Sequence, residues 1–197
     1  MTQVYTLPLG AYQTNCYVVH PEGESRCIVL DPGYAAEEIL RFLTQKGLSL
    51  EAILLTHGHF DHVGAVRDLV ALTDCDVYLH PADTAMPPPM TAGPLYFTHT
   101  LAGGETLSVC GLEIGVFHTP GHTPGSVCFQ IGTYLFTGDT LFAGSCGRTD
   151  LPGGNWQTIT QSLQFLRSLE APYQVFPGHG QASTLEREKA VNPYLRG

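Results

Sequence analysis

The segment Thr56-His57-Gly58-His59-Phe60-Asp61-His62 places three histidines and an aspartate within six positions, directly after the apolar run Ile53-Leu54-Leu55. Neutral imidazole is the commonest side-chain metal ligand, and carboxylate oxygen is its usual companion. Four such groups crowded at the end of a buried strand are costly unless positive charge sits among them. A divalent metal, or a pair of them, supplies that charge.

Partners of the same chemistry recur downstream. His122 lies in Thr119-Pro120-Gly121-His122-Thr123-Pro124-Gly125-Ser126, Asp139 in Phe136-Thr137-Gly138-Asp139-Thr140, and His179 in Phe176-Pro177-Gly178-His179-Gly180. Each sits beside a short apolar segment and is flanked by Gly or Pro, which mark turns. Strand ends along one sheet edge can bring ligands distant in sequence to a single point. Seven ligands exceed what one tetrahedral zinc takes and suit two metals sharing a bridge.

The His-x-His-x-Asp-His run, followed by the lone His, Asp and His, resembles the metallo-β-lactamase-fold hydrolases. Within them the chain most resembles the short glyoxalase II-like (hydroxyacylglutathione hydrolase-like) branch. Further matches are Gly138-Asp139-Thr140-Leu141-Phe142-Ala143-Gly144-Ser145, Gly147-Arg148-Thr149-Asp150, Pro177-Gly178-His179-Gly180 and the tail Glu188-Lys189-Ala190-Val191-Asn192-Pro193. The resemblance implies an α/β (α+β) fold, a four-layer αββα sandwich, in one hydrolase domain over 1–197. It also implies that one metal is held by His57, His59 and His122, the other by Asp61, His62 and His179, with Asp139 bridging. Zinc is the expected metal, with iron or manganese as alternatives, because His and Asp ligands accept all three.

Two ions roughly 3.5–4 Å apart can share a hydroxide that is nucleophilic near neutral pH and can stabilise the oxyanion it creates. Asp61 and Asp139 are then the catalytic carboxylates, and no Ser or Cys nucleophile is needed. Ser145 has no legible histidine base. The expected reaction is thioester hydrolysis, with S-lactoylglutathione, giving lactate and glutathione, as the family's representative substrate. Eighteen residues follow His179, too few for the C-terminal helical domain that contacts glutathione in the long form, so those contacts are not carried over. Arg148 is a candidate for holding a substrate carboxylate; a brace with Asp150 is the other reading.

Two alternatives share the fold. A persulfide dioxygenase with mononuclear iron is resembled at Cys146-Gly147-Arg148-Thr149-Asp150, while Phe142-Ala143-Gly144-Ser145 and the sequence around His179 stand closer to the thioesterases. A lactonase-type hydrolase is the second. A scaffold that has lost activity is disfavoured because such relatives drop ligands, and all seven stand here.

Several elements must position these groups. Val4 to Leu9, Cys16 to His20 and Cys27 to Leu30 read as strands, the last ended by Asp31-Pro32-Gly33; Asp31 is a candidate acceptor for a ligand's second ring nitrogen. Ala36, Ile39, Leu40 and Leu43 recur with helical spacing between Ala35 and Lys46. Ala52 to Leu55 is the strand that delivers the ligand run. His57 and His59, two apart, point the same way from an extended segment, and Gly58 lets the backbone bend. Helix resumes near His62 with Val63, Val66 and Leu69 or Val70 as its stripe. Asp76 to Leu79 is a strand, a short helix starts at Pro81, and the Pro-rich stretch Met86–Phe97 reads as a loop over one side of the site.

Thr106 to Val109, Leu112 to His118, Val127 to Ile131 and Tyr134 to Phe136 form a second group of strands. Trp156 to Leu169 has helical spacing, Gln174-Val175-Phe176 is read as the last strand, and Leu185 to Ala190 as a final helix. Two strand-rich halves, each with helices, suggest sheet packed on sheet.

The length of 197 residues and formal charge of −9 set the remaining bounds. One domain with a substantial core is the natural expectation, and the acidity argues against a nucleic-acid partner or an anionic membrane surface. The start Met1-Thr2-Gln3-Val4-Tyr5 is unlike a signal peptide, and six scattered cysteines read as reduced thiols of a cytoplasmic protein. The expected partner is a small-molecule thioester. His20, His80, His99 and His118 lack the context of ligands. Replacing His59 by alanine is expected to abolish turnover; a purified His59→Ala variant with full activity and an unchanged circular dichroism spectrum would remove this mechanism.

Overall fold

In the computed structural model, which describes residues 1–196, alternation along the strands sorts apolar side chains to two faces. In β2 (Thr14–Pro21), Cys16 and Val18 point one way and Tyr17 and Val19 the other; in β3 (Arg26–Leu30), Cys27 and Val29 oppose Ile28 and Leu30. Both faces are therefore buried, as a strand with apolar residues at every position requires.

These strands belong to a mixed six-stranded sheet. Its order is β1 (Thr2–Leu9), β2, β3, β4 (Ser49–Leu54), β5 (Asp76–Leu79) and β6 (His99–Thr100). The first three run antiparallel, and β3 to β6 are parallel to one another. The outer face packs on α1 (Ala36–Lys46) and α3 (Val66–Thr73) through Ile39, Leu43 and Leu69.

A second mixed sheet has the order β14 (Ser183–Thr184), β13 (Gln174–Pro177), β10 (Tyr134–Gly138), β9 (Val127–Ile131), β8 (Leu112–His118) and β7 (Thr106–Val109). Its inner face, with Ile114, Val116, Phe129 and Phe136, meets Tyr17, Ile28, Leu30 and Leu54 of the first sheet. Its outer face packs on α5 (Trp156–Ser168) and α6 (Leu185–Val191) through Leu135, Ile159, Leu163 and Leu185. Three cores between four layers make the expected αββα sandwich.

Several local expectations are corrected. Gln174–Pro177 is not the last strand, because the backbone of Ser183–Thr184 pairs antiparallel with it. The helix expected near His62 is two pieces: α2 (Phe60–Val63), and α3, whose buried residues are Val66 and Leu69. The Pro-rich stretch contains a helical turn, α4 (Pro88–Thr91), where proline occupies first-turn positions that need no amide hydrogen bond. A short hairpin, β11 (Leu141–Phe142) with β12 (Ser145–Cys146), and the two-residue β6 have no sequence pattern long enough to show.

All six cysteines are free, five of them buried. Among the described residues no helix is long and apolar enough to cross a membrane. Phe129 is fully buried between the sheets. Its truncation in Phe129→Ala is expected to cost about 3–5 kcal/mol of unfolding free energy. Urea unfolding of the metal-free protein measures this, and a loss under about 1 kcal/mol would contradict the central packing.

Candidate metal centre

The ligand-bearing segments leave the two sheets at one edge, where the sheets are stitched together. Thr56, just beyond β4, accepts at its carbonyl from the amide of Val127 in β9 (2.8 Å). From the other side, Asn15 donates its amide to Gly178 O (2.8 Å) and the Tyr17 hydroxyl donates to Pro177 O (2.6 Å). These bonds tie β2 and the end of β4 in one sheet to β9, to β13 and to the loop after β13 in the other.

Four of the five site histidines are turned by what their Nδ1 touches. His62 Nδ1 donates to Asp31 Oδ2 (3.0 Å), His122 Nδ1 to the Arg148 carbonyl (2.7 Å) and His179 Nδ1 to the Tyr12 carbonyl (3.2 Å). His57 Nδ1 lies 3.0 Å from Thr56 Oγ1, whose proton goes to Asp31 Oδ2 at 2.6 Å, leaving a lone pair for the ring. In its neutral form each of these imidazoles therefore carries its proton on the outer nitrogen and presents Nε2 inward, the arrangement that makes histidine a ligand. His59 is reversed: its Nδ1 faces His122 Nε2 at 2.9 Å.

All seven expected ligands are brought together. Nitrogens of His57, His59 and His122 converge within 4.8 Å of one another, as do ligand atoms of Asp61, His62 and His179. Asp139, just past β10, lies between the groups: its Oδ2 is 3.4 Å from His122 Nε2 and 3.5 Å from His179 Nε2, and its Oδ1 is 3.4 Å from His62 Nε2. Asp61 Oδ2 lies 3.3 Å from His179 Nε2 and accepts from Thr14 Oγ1 at 3.1 Å.

Whether such residues fit metal ions is decided by their unsatisfied atoms. His57 Nε2 and Asp139 Oδ1 are buried without a hydrogen-bond partner, a costly condition for an acceptor unless a cation occupies the space they face. The donor set is nitrogen and carboxylate oxygen in two groups with a shared carboxylate. The residues fit two divalent ions, and the two clusters are consistent with a binuclear site.

Electrostatics divides the groups. Burial, then the neighbouring imidazoles, push His57 well below its ordinary value and His59 down to about 4, so both are neutral near pH 7. Burial also opposes the charged form of His62, but Asp139 and Asp31 outweigh it and hold the ring at about 9. Burial would raise the Asp61 carboxyl; the hydrogen bond with His179 and the nearby imidazoles keep it well below the usual carboxylate range.

The centre floors a cleft of about 550 Å³ walled by Tyr12, Phe60, Met90, Phe142 and Leu151. Met90 belongs to α4, so the Pro-rich stretch does flank the site. The Phe142 loop is braced from α6. Buried Glu188 accepts from Gly144 N (2.7 Å) and from Asn192 Nδ2 (2.9 Å), which also donates to Phe142 O and Ser145 O.

Arg148 reaches the cleft rim, where its guanidinium pairs bidentately with Asp150 (2.7 and 2.8 Å), both side chains being exposed. The brace is thus the geometry observed, and the backbone carbonyl of Arg148 orients His122. His80 and His118 stack on each other (4.2 Å between ring centres), His99 stacks on Tyr78, and His20 bonds to the carbonyls of Pro21 and Glu24. None joins the cluster.

Asp83 escaped the sequence reading, as did Thr14 and the carbonyls of Tyr12 and Arg148. Backbone acceptors carry no residue signal, and Asp83 sits in an unremarkable Pro-Ala-Asp turn.

A family model described as the Metallo-beta-lactamase superfamily matches residues 9–179. The chain belongs to that superfamily. Within it, the chain is 32% identical to the hydroxyacylglutathione hydrolase GloC of Haemophilus influenzae, over 96% of each chain. Among solved structures it is similar to the BLEG-1 B3 metallo-beta-lactamase (TM-score 0.90, 36% identity, 99% of this chain and 100% of that one). It is also similar to TTHA1623 in a di-iron-bound form (TM-score 0.86, 40% identity, 98% and 100%). The chain is a metallo-hydrolase of this fold.

The elevated His62 has a measurable consequence. A metal entering the Asp61–His62–His179 group must displace the proton that His62 holds below its pKa of about 9. Metal affinity there is expected to rise with pH up to that value, with proton release near pH 7 from His62 and a further contribution from His179, which burial opposes but the hydrogen bond to Asp61 and nearby Asp139 raise above its ordinary value. Calorimetry in buffers of different ionisation enthalpy reads the proton count; uptake of both ions without proton release would contradict it.

Proposed function

We propose that this metallo-hydrolase cleaves thioesters, acting as a hydroxyacylglutathione hydrolase that converts S-lactoylglutathione to lactate and glutathione. The observation that carries the reading is the near-full-length similarity to a hydroxyacylglutathione hydrolase, together with a carboxylate, Asp139, set between two complete ligand groups.

Two divalent ions held there would supply Lewis-acid polarisation of a carbonyl and make hydroxide available near neutral pH. We propose zinc, with iron a real alternative given the di-iron form of a relative. His57, His59 and His122 would hold one ion, Asp61, His62 and His179 the other, and Asp139 both.

The chain's own groups do the rest. Asp61, ionised and open to the cleft, is placed to accept a hydrogen from the attacking water and orient its lone pair. Tyr12, Phe60, Met90, Phe142 and Leu151 exclude solvent around the scissile carbonyl and take the apolar part of the substrate. Burial pushes the Cys146 thiol up to about 11, so this cleft cysteine stays protonated and is a poor nucleophile. The leaving group of a thioester is a thiolate of pKa about 8.5, which departs without a general acid. Amides and alkyl esters lack that advantage. Six free thiols fit a reducing compartment, and we place the protein in the cytoplasm.

Metal analysis coupled to thioester assay tests the reading. Purified protein is expected to hold about two ions per chain and to hydrolyse S-lactoylglutathione, with loss of activity on chelation and recovery on adding metal back. Fully loaded protein that leaves this and simpler thioesters untouched, or that consumes oxygen with glutathione persulfide on a single iron, would overturn it.

A further inference from the structure

Asp83 is a fully buried carboxylate on the 3₁₀ turn Pro81–Ala85 that follows β5. It is not among the groups that converge on the metal positions. Its two oxygens accept three hydrogen bonds. Oδ2 receives the Gly58 amide at 2.7 Å and the Thr123 hydroxyl at 2.9 Å, and Oδ1 receives the Gly125 amide at 2.6 Å. Gly58 stands between His57 and His59; Thr123 and Gly125 follow His122. One side chain thus holds both backbone segments that carry the three-histidine group, one from each sheet.

The approach is close enough to dictate the partners. A Cβ at Gly125 would lie 2.7 Å from Asp83 Oδ1. A Cβ at Gly58 would lie 3.1 Å from Asp83 Cβ and 2.7 Å from Leu95 Cδ1. Both glycines are therefore required for the carboxylate to reach two amides at once. Thr123 is itself fixed, its hydroxyl 2.8 Å from Ser126 Oγ and its amide donating to that same oxygen at 3.1 Å.

We propose that Asp83 is a positioning residue for the His57–His59–His122 metal position: by joining the His57–His59 turn to the His122 loop, it fixes the spacing of the three imidazoles and hence their affinity for an ion. The second group is anchored independently. Asp31 orients His62, Tyr12 O orients His179 and Thr14 bonds Asp61, so the effect of Asp83 is confined to one of the two positions. The inference concerns metal binding and holds whatever substrate the centre acts on.

Asp83→Asn keeps the shape but turns an amide NH₂ toward a backbone N–H, so at least one of the three bonds is lost. Cobalt(II) titration of the metal-free protein, followed by the paramagnetically shifted imidazole N–H signals of each group, reads the two positions separately. Affinity at the three-histidine position is expected to fall about 10- to 100-fold, the usual effect of removing a group that orients metal ligands. Affinity at the Asp61–His62–His179 position should stay within about twofold, because its own orienting bonds are intact.

Thr123→Val removes one donor with little change in volume, and serves if the Asn variant does not fold. It should weaken the same position by a smaller factor. Equal weakening of both positions would mean general loosening of the fold and would overturn the proposal. So would unchanged affinity at both positions, even with lowered thermal stability.

Discussion

Seven side chains of metal-ligating type are buried or half-buried at one edge of a sandwich, and two of them, His57 and Asp139, turn inward a buried atom that has no hydrogen-bond partner. Imidazole nitrogens face one another and two carboxylates within about hydrogen-bonding distance, an arrangement whose acceptors left without a donor are unfavourable unless a cation meets them. Cations relieve it, and the depressed imidazoles of one group already present the neutral form that coordination needs. The folded chain is thus poised for ions, and the rest of the architecture holds that unfavourable cluster together.

What holds it is a set of acceptors behind the rings. Asp31 serves His62 directly and His57 through Thr56. Carbonyls of Arg148 and Tyr12 serve His122 and His179. Each acceptor comes from a different part of the chain than the ring it orients, so rotamer choice at the centre depends on correct packing of both sheets. The half of the cluster nearest Asp31 retains acidic neighbours and a proton on His62; in the other half His57 and His59 are held neutral by burial and by the neighbouring imidazoles. Two positions in one site therefore differ in charge before any ion arrives.

The cleft is built by the same economy of elements. Its aromatic wall comes from the turn before β2, from α2 and from the β11–β12 hairpin, and the hairpin is braced by Glu188 and Asn192 of the C-terminal helix and the turn after it. The tail motif is thereby tied to the substrate side of the site. Arg148, the cation at the rim, has its fork occupied by Asp150, leaving the apolar wall and the metal positions as the main features for recognising a substrate.

From the letters alone came the ligand types, their grouping beside short apolar strands, and most strand and helix spans, because metal ligands and amphipathic periodicity are local in sequence. The two-residue strands β6, β11, β12 and β14 were not legible, since two residues have no period and their pairing depends on a neighbour far along the chain. Met86–Phe97 looked like plain loop because proline hid a first helical turn. Only the tertiary structure decided that His59 turns its Nδ1 inward while the other histidines use Nε2, that Arg148 acts through its carbonyl, and that Asp83 spans both ligand loops. Those choices rest on hydrogen bonds between segments tens of residues apart, and many of the acceptors are main-chain atoms that every residue shares.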